Sequence, residues 1–221
     1  MKIGFIGLGQ MGKPMAMNML KSGAELIVGD ANSASFPDFE KKGVTTTTDF
    51  ARFSDRETVF LSLPDSGVVQ EVVLGERGLI NHLQKGKTIV DFSTITYSST
   101  LEIARRLEER GINFLDAPVS GLESRAIDGT LTVMCGGKKN VFDAVKPYLE
   151  CVGKTILHMG GSGNGQLTKL INQLLYDINM AAVAEVLPMA IKLGLDPEKV
   201  AQVVNSGTGR AMLRNISFPK S

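Results

Sequence analysis

Lys169 and Asn172 stand three residues apart in a predicted helix that is otherwise largely apolar, within GSGNGQLTKLINQLL at residues 161–175. Lys169, Asn172 and Gln173 fall at positions i, i+3 and i+4, so they share one face of the predicted helix. A lysine side chain can accept or relay the proton of a hydroxyl group, and its charged form can stabilise a developing alkoxide. The open alternative is an amphipathic helix that turns this polar stripe to water.

The N-terminal sequence KIGFIGLGQMG contains a second candidate site. Gly7, Gly9 and Gly12 give the pattern G-x-G-x-x-G between a predicted strand at 2–6 and a predicted helix at 10–21. Such a loop turns tightly, admits a pyrophosphate beside its backbone and lets helix pack on strand, while the helix N-terminus attracts the anion. The alternative is a glycine-rich turn without a ligand. The predicted cofactor-binding residues of the loop are Gly7, Leu8, Gly9, Gln10, Met11 and Gly12.

An acidic residue ends the second predicted strand, ELIV. Asp30 lies 18 residues after Gly12, close to the spacing at which a carboxylate meets an adenosine ribose. A carboxylate accepts hydrogen bonds from a 2′-hydroxyl group but repels a 2′-phosphate, and no Arg or Lys occurs between Asp30 and Lys41. The sequence therefore predicts NAD rather than NADP as the cofactor.

The elements that position these residues alternate between apolar strands and helices as far as residue 160. This pattern predicts an α/β protein with a Rossmann-type, doubly wound sheet, whose ligands bind beyond the carboxyl ends of the strands. The loops LPDS, STIT and APVSG follow such strand ends, and TTTT at 45–48 is predicted to be a strand edge or a loop. Further predicted strands are 58–63, 88–93, 112–119, 130–137 and 154–159, and further predicted helices are 98–111, 139–149 and 165–193.

Five motifs in order, over about 170 residues, carry a resemblance to a known family: GFIGLGQMG, LSLPDS, DFSTIT, DAPVSGLESRAIDGTLTVMCGG and GSGNGQLTKLIN. Together they resemble the 3-hydroxyisobutyrate dehydrogenase family of β-hydroxyacid dehydrogenases. The resemblance implies an NAD-binding Rossmann domain at 1–162. It also implies a long interdomain helix and a partial, truncated all-helical domain at 163–221. The implied reaction is hydride transfer between NAD and a short 3-hydroxy acid, or the matching semialdehyde, in the cleft between the domains.

The same resemblance implies roles for individual residues. Lys169 is the implied catalytic residue, and Asn172 orients either this lysine or the substrate. Ser120 and the backbone N–H groups around Gly121 hold the carboxylate of a small substrate. Thr94 lies near the nicotinamide or the substrate, the alternative being a strand-end cap. Leu122 and Gln173 complete the implied substrate site, and Leu63 and Pro64 complete the implied cofactor site.

Two positions depart from the pattern of the family. Leu122 stands where the family usually has glycine, and Gln173 stands where it usually has a second asparagine. Leu122 adds bulk and disfavours a positive φ. One alternative function is therefore a catalytically weak dinucleotide-binding sensor or assembly protein, against which Lys169 argues. Another is an NADPH-dependent semialdehyde reductase, against which Asp30 argues.

Composition excludes several other classes. The chain carries 24 basic and 23 acidic side chains, a net charge of +1, so it has no large positive potential that would attract the phosphate backbone of nucleic acid. Two cysteines and two histidines occur without metal-ligand spacing, so no metal site or disulfide framework is expected. No apolar run approaches the roughly 20 residues that cross a bilayer, and no secretory signal is evident. We expect no membrane partner and a cytoplasmic location.

The end of the chain leads to an expectation about assembly. Asp196-Pro197-Glu198 predicts a helix start, yet family members run several tens of residues beyond Ser221. We therefore expect either a fragment or a helical domain completed by a partner subunit. The apolar face of the helix at 165–193 needs cover, which predicts a homo-oligomer, in particular a dimer. Pro188 is expected to bend this helix without ending it.

Overall fold

The computed structural model describes residues 2–207 and residue 209. The chain divides into two compact units, Met1–Lys169 and Leu170–Ser221. We call them unit 1 and unit 2. The boundary between them falls inside a continuous helix, and the predicted domain boundary after residue 162 stays a prediction.

The described part of unit 1 is built on a nine-stranded sheet. Its strands are β1 Lys2–Ile6, β2 Glu25–Gly29, β3 Thr45–Thr47, β4 Thr58–Leu61, β5 Thr88–Asp91, β6 Asn113–Asp116, β7 Val119–Ser120, β8 Leu131–Gly137 and β9 Gly153–Gly160. The order β3-β2-β1-β4-β5-β6 is parallel throughout, as in a Rossmann domain. The predicted doubly wound α/β fold is therefore confirmed, and TTTT forms the edge strand β3.

The second half of the sheet departs from the parallel pattern. β8 runs antiparallel to both β6 and β7, and β9 runs parallel to β8. The single strand predicted at 112–119 is wrong, because the chain leaves β6 after Asp116 and begins β7 at Val119. Pro118 lies in this break, where it has no N–H group to donate to a ladder, while its carbonyl oxygen accepts from Met134 N at 3.1 Å.

Helices cover both faces of this sheet. Those within unit 1 are α1 Gly12–Lys21, α2 Phe36–Glu40, α3 Ser66–Leu74, α4 Tyr97–Glu109, α5 Glu123–Ile127 and α6 Lys139–Leu149. Short 3-10 helices lie at Ser33–Ser35, Phe50–Phe53 and Leu79–Asn81. The helix α6 has the predicted bounds, and α1 begins two residues later than predicted. The sequence interpretation missed α2, α3 and α5.

The core consists of two apolar layers, one on each face of the sheet. Alternate residues of a strand enter opposite layers, so Phe5 belongs to one layer and Ile6 to the other. Phe60 likewise lies in the layer of Phe5, whereas its neighbour Leu61 lies in the layer of Ile6. Burial on both faces explains why the parallel strands are continuous apolar runs rather than alternating ones.

The long helix α7 spans Asn164–Lys192 and passes through Pro188 without ending, as predicted. By length and composition alone it could cross a membrane, because an 18-residue stretch of the helix has a mean hydropathy of 1.5. Only 11% of that stretch is buried. The sequence prediction concerned apolar runs, which polar residues interrupt in this helix, so it did not single out α7. Asp177 lies at the middle of α7, however, and an aspartate at the centre of a bilayer costs about 2.5–3.5 kcal/mol. That cost weighs against a membrane span.

Unit 2 contains the remainder of α7 and the helix α8, Pro197–Ser206. α8 begins as predicted, because the Asp196 carboxylate accepts from the backbone N–H groups of Glu198 at 2.9 Å and Lys199 at 3.4 Å. Many apolar side chains of this unit are more than half exposed: Leu170, Ile171, Leu174, Leu175, Ile178, Val186, Met189, Ile191, Leu193, Leu195 and Val203. The homo-oligomer stays a prediction.

Candidate active site

The glycines of the N-terminal loop divide into two kinds. Gly7 has φ +95°, and a Cβ there would overlap the carbonyl oxygen of Ser62. A Cβ on Gly12 would overlap the carbonyl oxygen of Gly7. Around Gly9, by contrast, a Cβ would meet nothing within 4 Å. The chain's own packing therefore requires glycine at 7 and 12, whereas the open side of the loop at Gly9 leaves room for a ligand.

The start of α1 fits an anion. The loop residues before it change from buried Gly7 and Leu8 to exposed Gly9 and Gln10. In the described part of the chain, no side-chain cap bonds to the first N–H groups of α1, and its first turn carries no acidic residue. Uncapped N–H groups and the helix dipole attract a phosphate. The residues present therefore fit the pyrophosphate of a dinucleotide.

Asp30 follows directly after β2 and contacts the same loop. Its carboxylate accepts from Leu8 N at 2.5 Å and from Asn32 N at 2.8 Å. A carboxylate offers about four acceptor positions, so two bonds leave capacity for a ribose hydroxyl group. Lys13 of α1 is bonded to Asp38 at 2.6 Å, and this hydrogen bond holds the pKa of Asp38 below its usual range. The Lys13 ammonium is therefore already paired with a carboxylate.

The loops after β4 and β5 are joined to each other. Ser93 Oγ accepts from Leu63 N at 2.8 Å, and Ser93 N donates to Asp91 Oδ1 at 2.9 Å. Thr94 follows Ser93 and is exposed. The side chain that caps the helix α4 is that of Thr96, which accepts from Ser99 N.

The start of α7 is bonded to the carboxyl ends of β5 and β6. The Asp116 carboxylate accepts from Gly163 N at 2.7 Å and from Gln166 N at 3.0 Å. The Gln166 side chain donates to Ser93 O at 2.7 Å and accepts from Ile95 N at 3.3 Å. The glycines before Lys169 admit this close packing.

Those glycines approach other parts of unit 1. A Cβ on Gly165 would overlap the carbonyl oxygen of Met134, and one on Gly163, at φ +88°, would overlap the ring of Tyr97. In the structure the neighbours are the backbone of β8 and a side chain of α4.

Lys169 lies in α7 one turn after Gln166, on the same face. Its side chain is partly buried, and this burial lowers the pKa of the Lys169 ammonium below its usual range. A lysine of a fully solvated polar stripe would not be buried in this way. Asn172 and Gln173 follow in unit 2, where both are exposed.

The predicted carboxylate-binding segment forms the end of a small antiparallel ladder. Ser120 of β7 pairs with Thr132 of β8, and Gly121 follows at φ +142°, where glycine is favoured. Leu122 has φ −85° and is 68% exposed, so leucine is accommodated there without backbone strain. Gln10 Nε2 donates to Glu123 Oε2 at 2.8 Å, which brings this segment beside the glycine loop.

Two buried carboxylates were missed by the sequence interpretation. Asp91 and Asp116 are register partners at the ends of β5 and β6, and neither is exposed to solvent. Burial raises the pKa of Asp91 to about 7, with Asp116 adding a like charge, and Asp91 Oδ2 has no hydrogen-bond partner among the described residues. Burial also raises the pKa of Asp116, against the opposing effect of the Gly163 and Gln166 N–H groups. Acidic residues at the ends of the apolar runs TIVD and FLD were the signal available.

Strand order, glycine loop and the acidic residue after β2 together define a nicotinamide-dinucleotide-binding domain. Two family models match the chain. Residues 2–161 match the NAD-binding domain of 6-phosphogluconate dehydrogenase, and residues 163–221 match the NAD-binding domain of NADP-dependent 3-hydroxyisobutyrate dehydrogenase. The chain belongs to the 3-hydroxyisobutyrate dehydrogenase family. It is therefore an NAD(P)-dependent oxidoreductase of the kind that acts on CH–OH groups.

Individual relatives agree with this assignment. The chain is 40% identical over 220 residues to 2-(hydroxymethyl)glutarate dehydrogenase of Eubacterium barkeri, covering 99% of this chain and 73% of that protein. It is 42% identical over 216 residues to 2-hydroxy-3-oxopropionate reductase of Escherichia coli, covering 98% and 74%. A solved 3-hydroxyisobutyrate dehydrogenase of Mycobacterium tuberculosis with L-serine has a TM-score of 0.91 at 28% identity, covering 99% and 75%.

Proposed function

We propose that this chain transfers a hydride between NAD and a short 3-hydroxy acid, or the matching semialdehyde. The observation that carries the proposal is the partly buried Lys169, one turn after a helix start that is bonded to the carboxyl end of β6 and to the loop at the carboxyl end of β5. In a Rossmann domain those strand ends are where the ligand binds. A lysine with a lowered pKa at this place suits proton transfer to or from a substrate oxygen.

The proposed roles divide the chemistry among the chain's own residues. Lys169 accepts the hydroxyl proton in oxidation and returns it in reduction, and Asn172 orients the lysine or the substrate. The Ser120 hydroxyl and the N–H groups of Gly121 and Leu122 bind the substrate carboxylate. The bound nicotinamide supplies or takes up the hydride. Thr94 and Gln173 complete the proposed site beside the cofactor and the substrate.

The proposed cofactor is NAD, held by the loop from Gly7 to Gly12 with Leu63, Pro64 and Thr94. Asp30 carries the preference over NADP, because its carboxylate accepts from a ribose hydroxyl group and repels a phosphate. The name of the second family model refers to an NADP-dependent enzyme. The choice of cofactor is therefore the part of the proposal that needs a test of its own.

We expect Asp30→Ala to weaken NAD binding roughly 10- to 100-fold, since a hydrogen bond to a charged group contributes about 1.5–3 kcal/mol. The difference in affinity between NAD and NADP should become smaller, because the negative charge that repels a 2′-phosphate is lost. Asp30→Asn is the matched control, because it retains an acceptor oxygen for Leu8 N while removing the charge. Dissociation constants for both cofactors, measured by fluorescence, decide the matter, and a wild-type protein that prefers NADP would overturn the assignment.

The function as a whole is tested by turnover of the 221-residue chain with NAD and with NADP. The substrates for oxidation are 3-hydroxyisobutyrate and 2-(hydroxymethyl)glutarate, and those for the reverse reaction, with NADH and NADPH, are 2-hydroxy-3-oxopropionate and other short semialdehydes. We expect NAD-dependent turnover of at least one 3-hydroxy acid. Cofactor binding without any turnover would favour the alternative of a dinucleotide sensor, and turnover of semialdehydes with NADPH alone would favour a reductase. Self-association and a cytoplasmic location stay predictions.

A further inference from the structure

Gln166 is a buried amide whose two polar atoms are both used by one loop. Its side chain is 3% exposed, and it bonds to Ser93 O through Nε2 and to Ile95 N through Oε1. The donor and the acceptor face backbone groups of fixed type, so the orientation of the amide is determined. An apolar replacement would leave a buried carbonyl group and a buried N–H group without their partner.

The loop that Gln166 holds contains a residue of the proposed site. Thr94 lies between Ser93 and Ile95, the two residues bonded to the amide, and Ser93 is bonded in turn to Leu63 N at 2.8 Å. A chain of hydrogen bonds therefore runs from α7 to the loop after β5, where the bonds are buried, and on to the loop after β4, where the bond is part-buried. Both of these loops were predicted to contact the cofactor.

The backbone of Gln166 is held as well. Its N–H group donates to Asp116 Oδ2 at 3.0 Å, and Gly163 N donates to Asp116 Oδ1 at 2.7 Å. Three hydrogen bonds thus fix Gln166 against the ends of two neighbouring strands. Lys169 is three residues further along the same helix face, where a shift of the first turn moves it directly.

We propose that Gln166 is a positioning residue, which sets the distance between Lys169 on α7 and the loop that carries Thr94. Its side chain belongs to neither the cofactor loop nor the substrate segment, and it acts through the two elements that it joins. The inference rests on the proposed function for its effect on turnover. Its effect on the place of Lys169 can be measured without cofactor or substrate.

The first test follows the titration of Lys169 in the protein without cofactor. The rate of acetylation of Lys169 at a series of pH values, read by peptide mass spectrometry, gives the pKa of its ammonium. In the wild type this pKa should lie below the ordinary lysine value, and in Gln166→Met it should move back towards that value as α7 loosens. Gln84→Met, the same substitution at an exposed position of unit 1, should leave the titration unchanged. Equal titration of Lys169 in the wild type and in Gln166→Met would overturn the proposal.

The second test separates positioning from packing. Gln166→Met should lower kcat about 10- to 100-fold with a much smaller change in KM, because a misplacement of about 1 Å can cost roughly 10² in rate. In Gln166→Glu the carboxylate keeps the acceptor for Ile95 N but lacks the donor for Ser93 O, and protonation restores that donor. The kcat of the Glu variant relative to the Met variant should therefore rise as the pH falls. The carboxylate of Asp116, which accepts from the N–H group of residue 166, is a like charge that favours this protonation.

The experiments distinguish failure of the proposed function from failure of the positioning role of Gln166. A wild-type protein without turnover refutes the proposed function, while the Lys169 titration still decides the positioning role. If Gln166→Met does not fold, as judged by thermal unfolding, the Lys169 titration and the pH dependence of kcat are measured on Gln166→Glu with the wild type as the reference. Two results together would identify Gln166 as a packing residue only. The ratio of kcat between the Glu and Met variants would stay constant across the pH range, and KM would rise as much as kcat falls.

Discussion

Replacement of Lys169 by alanine should lower turnover by roughly 10²–10⁴, the usual effect of losing an acid–base group, while NAD affinity stays nearly unchanged. The side chain is partly buried, and this burial lowers the pKa of its ammonium, which favours its use as a base. Lys169 is remote in sequence from the loop at residues 7–12, which is proposed to hold the pyrophosphate. The loss of activity should therefore appear in kcat, and the dissociation constant of NAD should stay nearly unchanged.

The measurement pairs steady-state kinetics with equilibrium binding of NAD on the same preparations. Lys154→Ala removes an exposed lysine from β9 and serves as the control for a general loss of charge. Near-normal turnover in Lys169→Ala would show that the lysine is an ordinary surface residue. A parallel loss of NAD affinity would show that it acts on the cofactor instead.

Replacement of Asp91 by asparagine should remove much of the pH dependence of stability between about pH 4 and pH 7. The folded protein holds the pKa of Asp91 at about 7, whereas the ordinary value is 3.8, chiefly because the group is buried. Between these two values the folded state binds the proton more tightly than the unfolded state. The contribution to stability is therefore fully present below about pH 4 and is lost as the pH rises through 7. At about 1.36 kcal/mol per pKa unit, the full effect is on the order of 4 kcal/mol.

Urea unfolding of the wild type and of Asp91→Asn at pH 5, 6, 7 and 8 provides the test. The free energy of unfolding of the wild type should fall across this range, and that of the variant should fall much less. Asp55→Asn is the control, because a hydrogen bond from Arg56 holds the pKa of Asp55 at about 2, so its titration lies below the range tested. Equal slopes for the wild type and Asp91→Asn would show that Asp91 is not held protonated.

The parts of the molecule that the sequence predicted are those with a local chemical signal. The glycine loop, the helix α6 and the start of α8 at Asp196 each follow from residues within a few positions of one another. The short helix α3 was missed because its sequence, SGVVQEVVL, is rich in valine, a β-branched residue that favours strands. The break between β6 and β7 depends on pairing with β8, which no local pattern of the segment reveals.

The candidate site was predicted in part for the same reason. Lys169 and Asp30 belong to motifs with a fixed spacing, so their types and positions pointed to their proposed roles. Asp91, Asp116 and Gln166 belong to no such local pattern. Gln166 meets Ser93 across 73 residues of sequence, and Asp116 meets Gly163 across 47. Interactions of that range are visible only once the strands have been placed side by side.

The carboxylate of Asp30 bonds to the amide of Leu8, and this bond limits how the cofactor preference of the enzyme can be altered. The group proposed to recognise the ribose also holds the backbone of the glycine loop in its shape. Exchanging it for a small or basic residue to admit a 2′-phosphate would leave the Leu8 amide without its acceptor. A protein engineer who wants an NADP-dependent variant must therefore keep a neutral acceptor such as asparagine at this position, or add a second substitution that supplies a new acceptor to this amide. Any natural lineage that changed its cofactor at this position would have faced the same constraint.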